Sequence, residues 1–130
     1  MLVALHQSHP LAARPAITMK DLRDEAMIMP SAPLSQLANV GLELCRASDF
    51  EPKVTQLASD VVTGAMMVAC GMGVMLVPES LRNLQLPNMV CLPLKEVAFM
   101  DLHCYYLKTE RSPLLMALLK AIRKFRESNH

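Results

Sequence analysis

The sequence has little net charge and no long hydrophobic run, and each absence excludes a class of protein. The 130 residues carry a formal net charge of +1, so no overall field would draw the chain to nucleic acid or to a membrane surface. The longest nearly apolar segment, Val61 to Pro78, is interrupted by three glycines, so no run reaches the length of a membrane span. The opening residues, MLVALHQSHP, lack the basic region and long apolar core of a signal peptide.

The sequence also lacks a C-x-x-C pair, although it contains four cysteines. Each cysteine has apolar neighbours, which predicts buried, reduced thiols in a cytoplasmic protein. A redox pair remains the alternative, since sequence alone does not show which thiols are close together. The four residues are Cys45, Cys70, Cys91 and Cys104.

What the chain does contain is apolar sequence in a regular order. Hydrophobic residues make up 52% of the composition and charged residues 19%, which suits one modest domain with a real core. Strand-like segments alternate with helical ones, a pattern typical of βαβ units and a largely parallel sheet. The predicted strands are LVALHQ, AMIMP, EPKVTQLAS with one face covered, VMLVP, MVCLPL and MDLHCYYLK.

The predicted helices carry recognisable caps. Thr18 and Asp21 form a capping-box pattern at the start of MKDLRDEA, and a second helix is predicted from residue 35 to 47. The helix in DVVTGAMMVACGMG is apolar nearly all round and is predicted to be buried. Ser112 and Pro113 begin the last helix, whose apolar stripe is predicted to be Leu114, Leu118, Ile122 and Phe125.

Several motifs suggest chemistry but fit a structural role better. The glycines of GMG follow a helix rather than opening one, so Gly71 or Gly73 is expected to close that helix instead of binding phosphate. His6 and His9 have a spacing seen at metal sites, but no further ligand is nearby and a solvated loop is favoured. No G-x-S-x-G motif is present, although Ser31 follows a strand and leaves hydrolysis open. No enzymatic activity, metal or cofactor is predicted, and the basic segment KAIRKFRE is interpreted as a solvated helix face.

Two junctions between a strand and a helix form the one candidate site. In MPSAPLSQ, Pro30, Ser31 and Ala32 (with Pro33) precede a helix, and in ASDVVTG, Ser59 and Asp60 precede another. Ligands of open α/β sheets bind beyond the carboxyl ends of the strands, where backbone N–H groups and a small hydroxyl suit a carboxylate. Asp60 also suits a helix cap, and its charge would oppose an anion placed close to it. The sequence thus predicts a small-molecule cleft with the two junctions side by side.

These same residues resemble the effector-binding domain of LysR-type transcriptional regulators. HPLAARPAITMKDLRDEAMIMP resembles the start of that domain's second lobe, and FEPKVTQLASDVVTGAMMVACGMGVMLVPESL resembles its middle. MVCLPL and the final helix introduced by ERSP complete the pattern, which covers essentially the whole chain. MPSAPLSQ and PESLRNLQLPNMVCLPL are most similar to the branch that responds to benzoate and muconate.

The resemblance implies an α/β fold like that of type 2 periplasmic binding proteins, with an aromatic or dicarboxylic acid effector held between two lobes. Residues 1–101 would form the second lobe, and 102–130 the strand and helix that return to the first. The rest of the first lobe, the linker and the helix-turn-helix domain that contacts DNA would lie outside this chain. The implied effector contacts are Pro30, Ser31, Ala32, Asp60 and Val61, with Ser59 and Thr63 adjacent.

Two further expectations follow if the chain supplies only one wall of the cleft. Half a pocket should bind its effector weakly or not at all, because affinity depends on enclosing the ligand. The apolar surface of residues 102–130 should cause self-association, because such patches rarely stay exposed on a monomer. A solute-binding protein of the same architecture is the alternative function, disfavoured by the missing signal peptide and by the unpaired cysteines.

Overall fold

A computed structural model of the chain describes residues 1–32, 35–100 and 104–128. The chain forms two compact units, Met1–Met100 and Asp101–His130. The described residues of the first unit form five strands and two α-helices, with 3-10 turns at Pro10–Ala13, Met19–Leu22 and Glu79–Asn83. These elements are β1 (Leu2–His6), β2 (Ala26–Pro30), α1 (Gln36–Ala47), β3 (Lys53–Ala58), α2 (Val61–Ala69), β4 (Met75–Val77) and β5 (Met89–Pro93).

The strands of the first unit form a mixed rather than a largely parallel arrangement. β1 lies between β4 and β5 and runs antiparallel to both, whereas β2 and β3 pair in parallel. The two groups are joined where the Ile28 amide donates to the Val74 carbonyl and the Val74 amide to the Ala26 carbonyl, each at 2.8 Å. The prediction of a largely parallel sheet is wrong for β1, because no helical crossover follows that strand to fix its direction.

Both faces of β1 are buried, which explains its continuous apolar sequence. Leu2 and Ala4 pack in a cluster with residues of α2, while Val3 and Leu5 pack in a second cluster that includes Leu11. Successive side chains of a strand point to opposite faces, so the two clusters cover the two sides of this strand.

No described helix is both long and apolar enough to cross a membrane.

The predicted caps are present. The Thr18 hydroxyl accepts the Asp21 amide while the Asp21 carboxylate accepts the Thr18 amide, and this closed box starts a single 3-10 turn instead of the longer helix predicted there. Ser35, which was predicted to be the first residue of a helix, is instead the N-cap of α1 and accepts the Ala38 amide at 3.3 Å. Gly71, at φ +76°, follows the last turn of α2 and ends it as predicted.

Burial of α2 and β3 is lower than predicted. On α2, Gly64, Ala65 and Val68 are buried, but Val62 and Met66 are more than half exposed, at 51% and 57%. β3 forms the edge of its two-stranded sheet, and of its residues only Ala58 is buried. Both predictions fail for one reason: composition shows that a segment is apolar, whereas its burial depends on which elements cover it.

The cysteines are free but differ in burial. Cys45 is buried and Cys91 is half-buried, whereas Cys70 and Cys104 are exposed. The prediction of four buried thiols is therefore wrong for Cys70 and Cys104. Cys70 directly follows α2, outside the stripe that packs on the sheet.

The second unit contains the helix α3 (Pro113–Ser128). Ser112 caps α3 by accepting the Leu115 amide at 3.3 Å, as predicted. The predicted strand MDLHCYYLK is wrong over residues 104–108, which have no strand partner; residues 101–103 lie outside the described part. No residue of α3 is buried. The stripe predicted to be buried is exposed, because no other described residue of this unit covers it: Leu114, Leu118, Ile122 and Phe125.

Candidate functional site

The two strand–helix junctions lie side by side. β2 and β3 are parallel neighbours with Pro30 opposite Ala58, so their carboxyl ends meet at one edge of the sheet. The Ser31 amide and hydroxyl both donate to the Ala58 carbonyl, at 2.8 and 3.1 Å. This edge, residues 30–32 with 58–63, is called the rim below. The parallel-strand argument predicts this adjacency from the sequence, although Pro33 lies outside the described residues.

Asp60 organises the second half of the rim. One carboxylate oxygen accepts the Thr63 amide at 2.8 Å, and the other accepts the Ser59 and Thr63 hydroxyls, each at 2.9 Å. The Asp60 carbonyl accepts the Gly64 amide at 3.0 Å, which begins the hydrogen bonding of α2. Asp60 is therefore the N-cap of α2, the role that its position in the sequence allowed.

These hydrogen bonds favour the ionised form of Asp60. The Thr63 amide, followed by the Ser59 and Thr63 hydroxyls, holds the pKa of the Asp60 carboxyl below its usual range. Such a charge sits favourably at the positive end of a helix, and it occupies the place where an anionic ligand would otherwise meet that end. The rim therefore carries a negative charge that two helix N-termini without Asp60 would lack.

The other predicted contacts surround this cluster. Ser31, Ala32 and Ser59 are exposed, while Pro30 and Val61 are half-buried beside them. The predicted residues within the described part of the chain thus all belong to one continuous surface. The residue that sequence analysis missed is Ala58, whose carbonyl joins the two junctions; its place at the end of β3 was the available signal.

A cavity of about 210 Å³ lies at the opposite end of the strands, lined by both predicted loop histidines together with Glu25, Met72 and Gly73. The Nδ1 atom of His6 accepts the Ser8 amide, and that of His9 accepts the Leu11 amide, each at 3.2 Å. The Nδ1 atom of each ring is thus engaged by the backbone, and the Nε2 atom of His9 lies 3.1 Å from a Glu25 carboxylate oxygen. No group of three metal-ligating side chains occurs among the described residues.

Comparison with known proteins identifies the domain to which this geometry belongs. The LysR substrate binding domain matches residues 1–126. The chain belongs to this family. Its fold is accordingly that of the LysR effector-binding domain, which is like a periplasmic binding protein.

Relatives of known name are bacterial regulators. The chain is 30% identical to the HTH-type transcriptional regulator TtuA of Agrobacterium vitis over 125 residues, which is 94% of this chain and 38% of the relative. It is 28% identical to the HTH-type transcriptional regulator BenM of Acinetobacter baylyi over 128 residues, which is 95% of this chain and 42% of the relative. The chain thus spans about two fifths of these relatives. Transcriptional regulators are not enzymes.

Solved structures match over nearly the whole chain. The BenM effector binding domain with its effector benzoate has a TM-score of 0.69 at 26% identity, covering 98% of this chain and 60% of that structure. Full-length BenM has a TM-score of 0.72 at 26% identity, covering 98% of this chain and 44% of that structure.

Proposed function

We propose that this chain is an effector-sensing portion of a LysR-type transcriptional regulator and binds a small organic acid at the rim. The observation that carries the proposal is the direct hydrogen bonding between the ends of β2 and β3, which brings both predicted junctions to one edge. Membership of the family and the benzoate bound by the similar BenM domain support a small carboxylic acid as the ligand class.

The rim forms one wall of the proposed cleft. Residues 1–101 correspond to the second lobe and residues 102–130 to a returning part of the first, whose remainder supplies the opposite wall. An open wall desolvates only one side of a ligand, so the chain alone binds weakly. In the whole regulator an effector that prefers one lobe arrangement would shift the population of subunit geometries. DNA contact belongs to a helix-turn-helix domain outside this chain, and the regulator acts in the cytoplasm.

The proposal also includes self-association through residues 102–130. Its support is the exposed apolar surface of the second unit, where Tyr105, Leu107 and Leu114 are each more than 70% exposed. Patches of this kind mark interaction sites on soluble proteins.

The test is a titration of the isotope-labelled chain with benzoate, followed in amide NMR spectra at millimolar ligand. We expect amide shifts confined to the rim, and a clearly higher affinity once a first lobe is added to the chain. Ser31→Phe fills the rim and should abolish the shifts, because Ser31 is exposed and its side chain extends from the strand end.

The matched control is Ser8→Phe. It places the same bulk on an exposed serine that follows the C-terminal end of β1 and is not part of the rim. It should leave the titration unchanged. Shifts that occur away from the rim, or a Ser31→Phe chain that responds like the unchanged chain, would contradict the proposed site.

A further inference from the structure

The hydroxyl hydrogens of the rim are all committed to protein acceptors. Ser31 donates its single hydroxyl hydrogen to the Ala58 carbonyl, and a carbonyl oxygen can only accept. Ser59 and Thr63 donate theirs to the Asp60 carboxylate, which, when ionised, also only accepts. What these side chains still offer to a ligand is lone pairs.

The negative charge of Asp60 also makes the rim a better partner for hydrogen-bond donors. Asp60 forms no ion pair among the described residues, so no neighbouring cation cancels it. A second carboxylate placed beside it would meet like charge, whereas an ammonium or hydroxyl group would meet an ion and several lone pairs. The side chains at this rim therefore match a hydrogen-bond donor and not an acid group.

We propose that Asp60 sets the effector class of the rim: an organic acid whose end facing this lobe carries a hydroxyl or ammonium group, and not a dicarboxylic acid. The effector's carboxylate points away from Asp60, toward the wall outside this chain. This inference rests on the proposed function, and it narrows the aromatic or dicarboxylic acids that the resemblance implies to hydroxylated or aminated monoacids.

The test compares ligands of one shape that differ in a single group: benzoate, para-hydroxybenzoate, para-aminomethylbenzoate and terephthalate. Their dissociation constants for the 130-residue chain come from amide NMR titrations at low salt. Because Asp60 is exposed, its effect is modest. We expect terephthalate to bind about two- to fivefold more weakly than benzoate and the aminomethyl compound more tightly by a similar factor, with both differences shrinking as salt is added.

Asp60→Asn should remove these differences while keeping the helix cap, since asparagine caps helices as well as aspartate does. Asp60→Ser is a second cap-preserving variant with the same expectation. The matched control is Asp49→Asn, which removes one negative charge just beyond the far end of α1, at a residue whose φ of +59° asparagine tolerates. That variant should retain the order of affinities.

The outcomes separate this inference from the proposed function. If no acid shifts the rim amides, the proposed function falls and the selectivity falls with it. If benzoate shifts them but terephthalate binds as tightly or more tightly, the assignment of Asp60 is overturned while the effector site stands. Unchanged ligand ratios in both Asp60 variants would also overturn the assignment.

Discussion

Two glycines in helix interiors illustrate how differently single positions respond to one added methyl group. A Cβ on Gly41 in α1 would lie 3.5 Å from Leu76 Cδ1 and 3.6 Å from Met29 Cε, which is ordinary contact. A Cβ on Gly64 in α2 would overlap the Met75 sulfur and lie 2.9 Å from its Cε. Met75 is fully buried, so its side chain has little space in which to move.

Gly41→Ala should therefore raise the free energy of unfolding by about 0.5–1 kcal/mol, because alanine favours the helix. Gly64→Ala should lower it by about 1–3 kcal/mol through overpacking. Urea unfolding of the two variants beside the unchanged chain measures both changes. A Gly64→Ala chain as stable as its parent would show that Met75 repacks freely.

At the same scale, sequence predicts caps well and burial poorly. Thr18 and Ser112 both cap as their spacing indicates, because a cap depends on three or four consecutive residues. The exposure of Val62 and Cys70 could not be read from the chain. It depends on which distant elements do or do not cover them.

Among the elements, α3 shows what an amphipathic sequence does and does not determine. Its periodicity predicts the helix and the shared face correctly, but no residue of that face is buried. Leu114 is 81% exposed and Phe125 71%. A pattern specifies which side of a helix prefers contact, whereas the partner comes from elsewhere in the fold or from another chain.

We expect the chain to self-associate through this face. Leu118→Glu places a charge within the stripe and should shift the oligomer toward monomer, as measured by light scattering across a wide concentration range. Met116→Glu is the matched control, because residues two apart on a helix do not share a face and Met116 is likewise exposed. A parent chain that stays monomeric at every concentration would contradict the expectation.

For the whole molecule, three aspartates link stability to pH. The Thr18 amide lowers the pKa of Asp21, the Lys53 ammonium lowers that of Asp24, and the Thr63 amide lowers that of Asp60. A carboxyl group with a depressed folded pKa binds its proton more weakly in the folded state. It therefore adds stability above its unfolded value, about pH 3.9, and that stability is lost as the pH falls through the folded value.

The chain should accordingly be less stable at about pH 3 than at about pH 6. Asp21→Asn should lower stability near neutrality and flatten the acid dependence, since the uncharged amide keeps the size of the side chain but loses the charge that Thr18 and Arg14 stabilise. Urea midpoints measured across that pH range test this. An Asp21→Asn chain that retains the full acid dependence would exclude Asp21 as a source of it.

Features of the whole molecule can also be predicted from the sequence where they depend on neighbouring residues, and cannot be where they depend on distant ones. Adjacency of the two junctions follows from a parallel β2–β3 pair, which the intervening helix predicts. The direction of β1 has no such local signal, because its partners β4 and β5 lie far along the chain. The donation from the Ser31 hydroxyl to the Ala58 carbonyl was also hidden, because it joins the ends of two strands that are distant in sequence.

The central place of β1 also affects how quickly the chain can fold. Leu2 pairs with Val77 on one side and with Pro93 on the other, so this strand cannot complete its hydrogen bonds until most of the first unit has been synthesised. Pairings across such long stretches slow folding. In the interval an apolar strand has both edges open, which makes the nascent chain a natural client for chaperones.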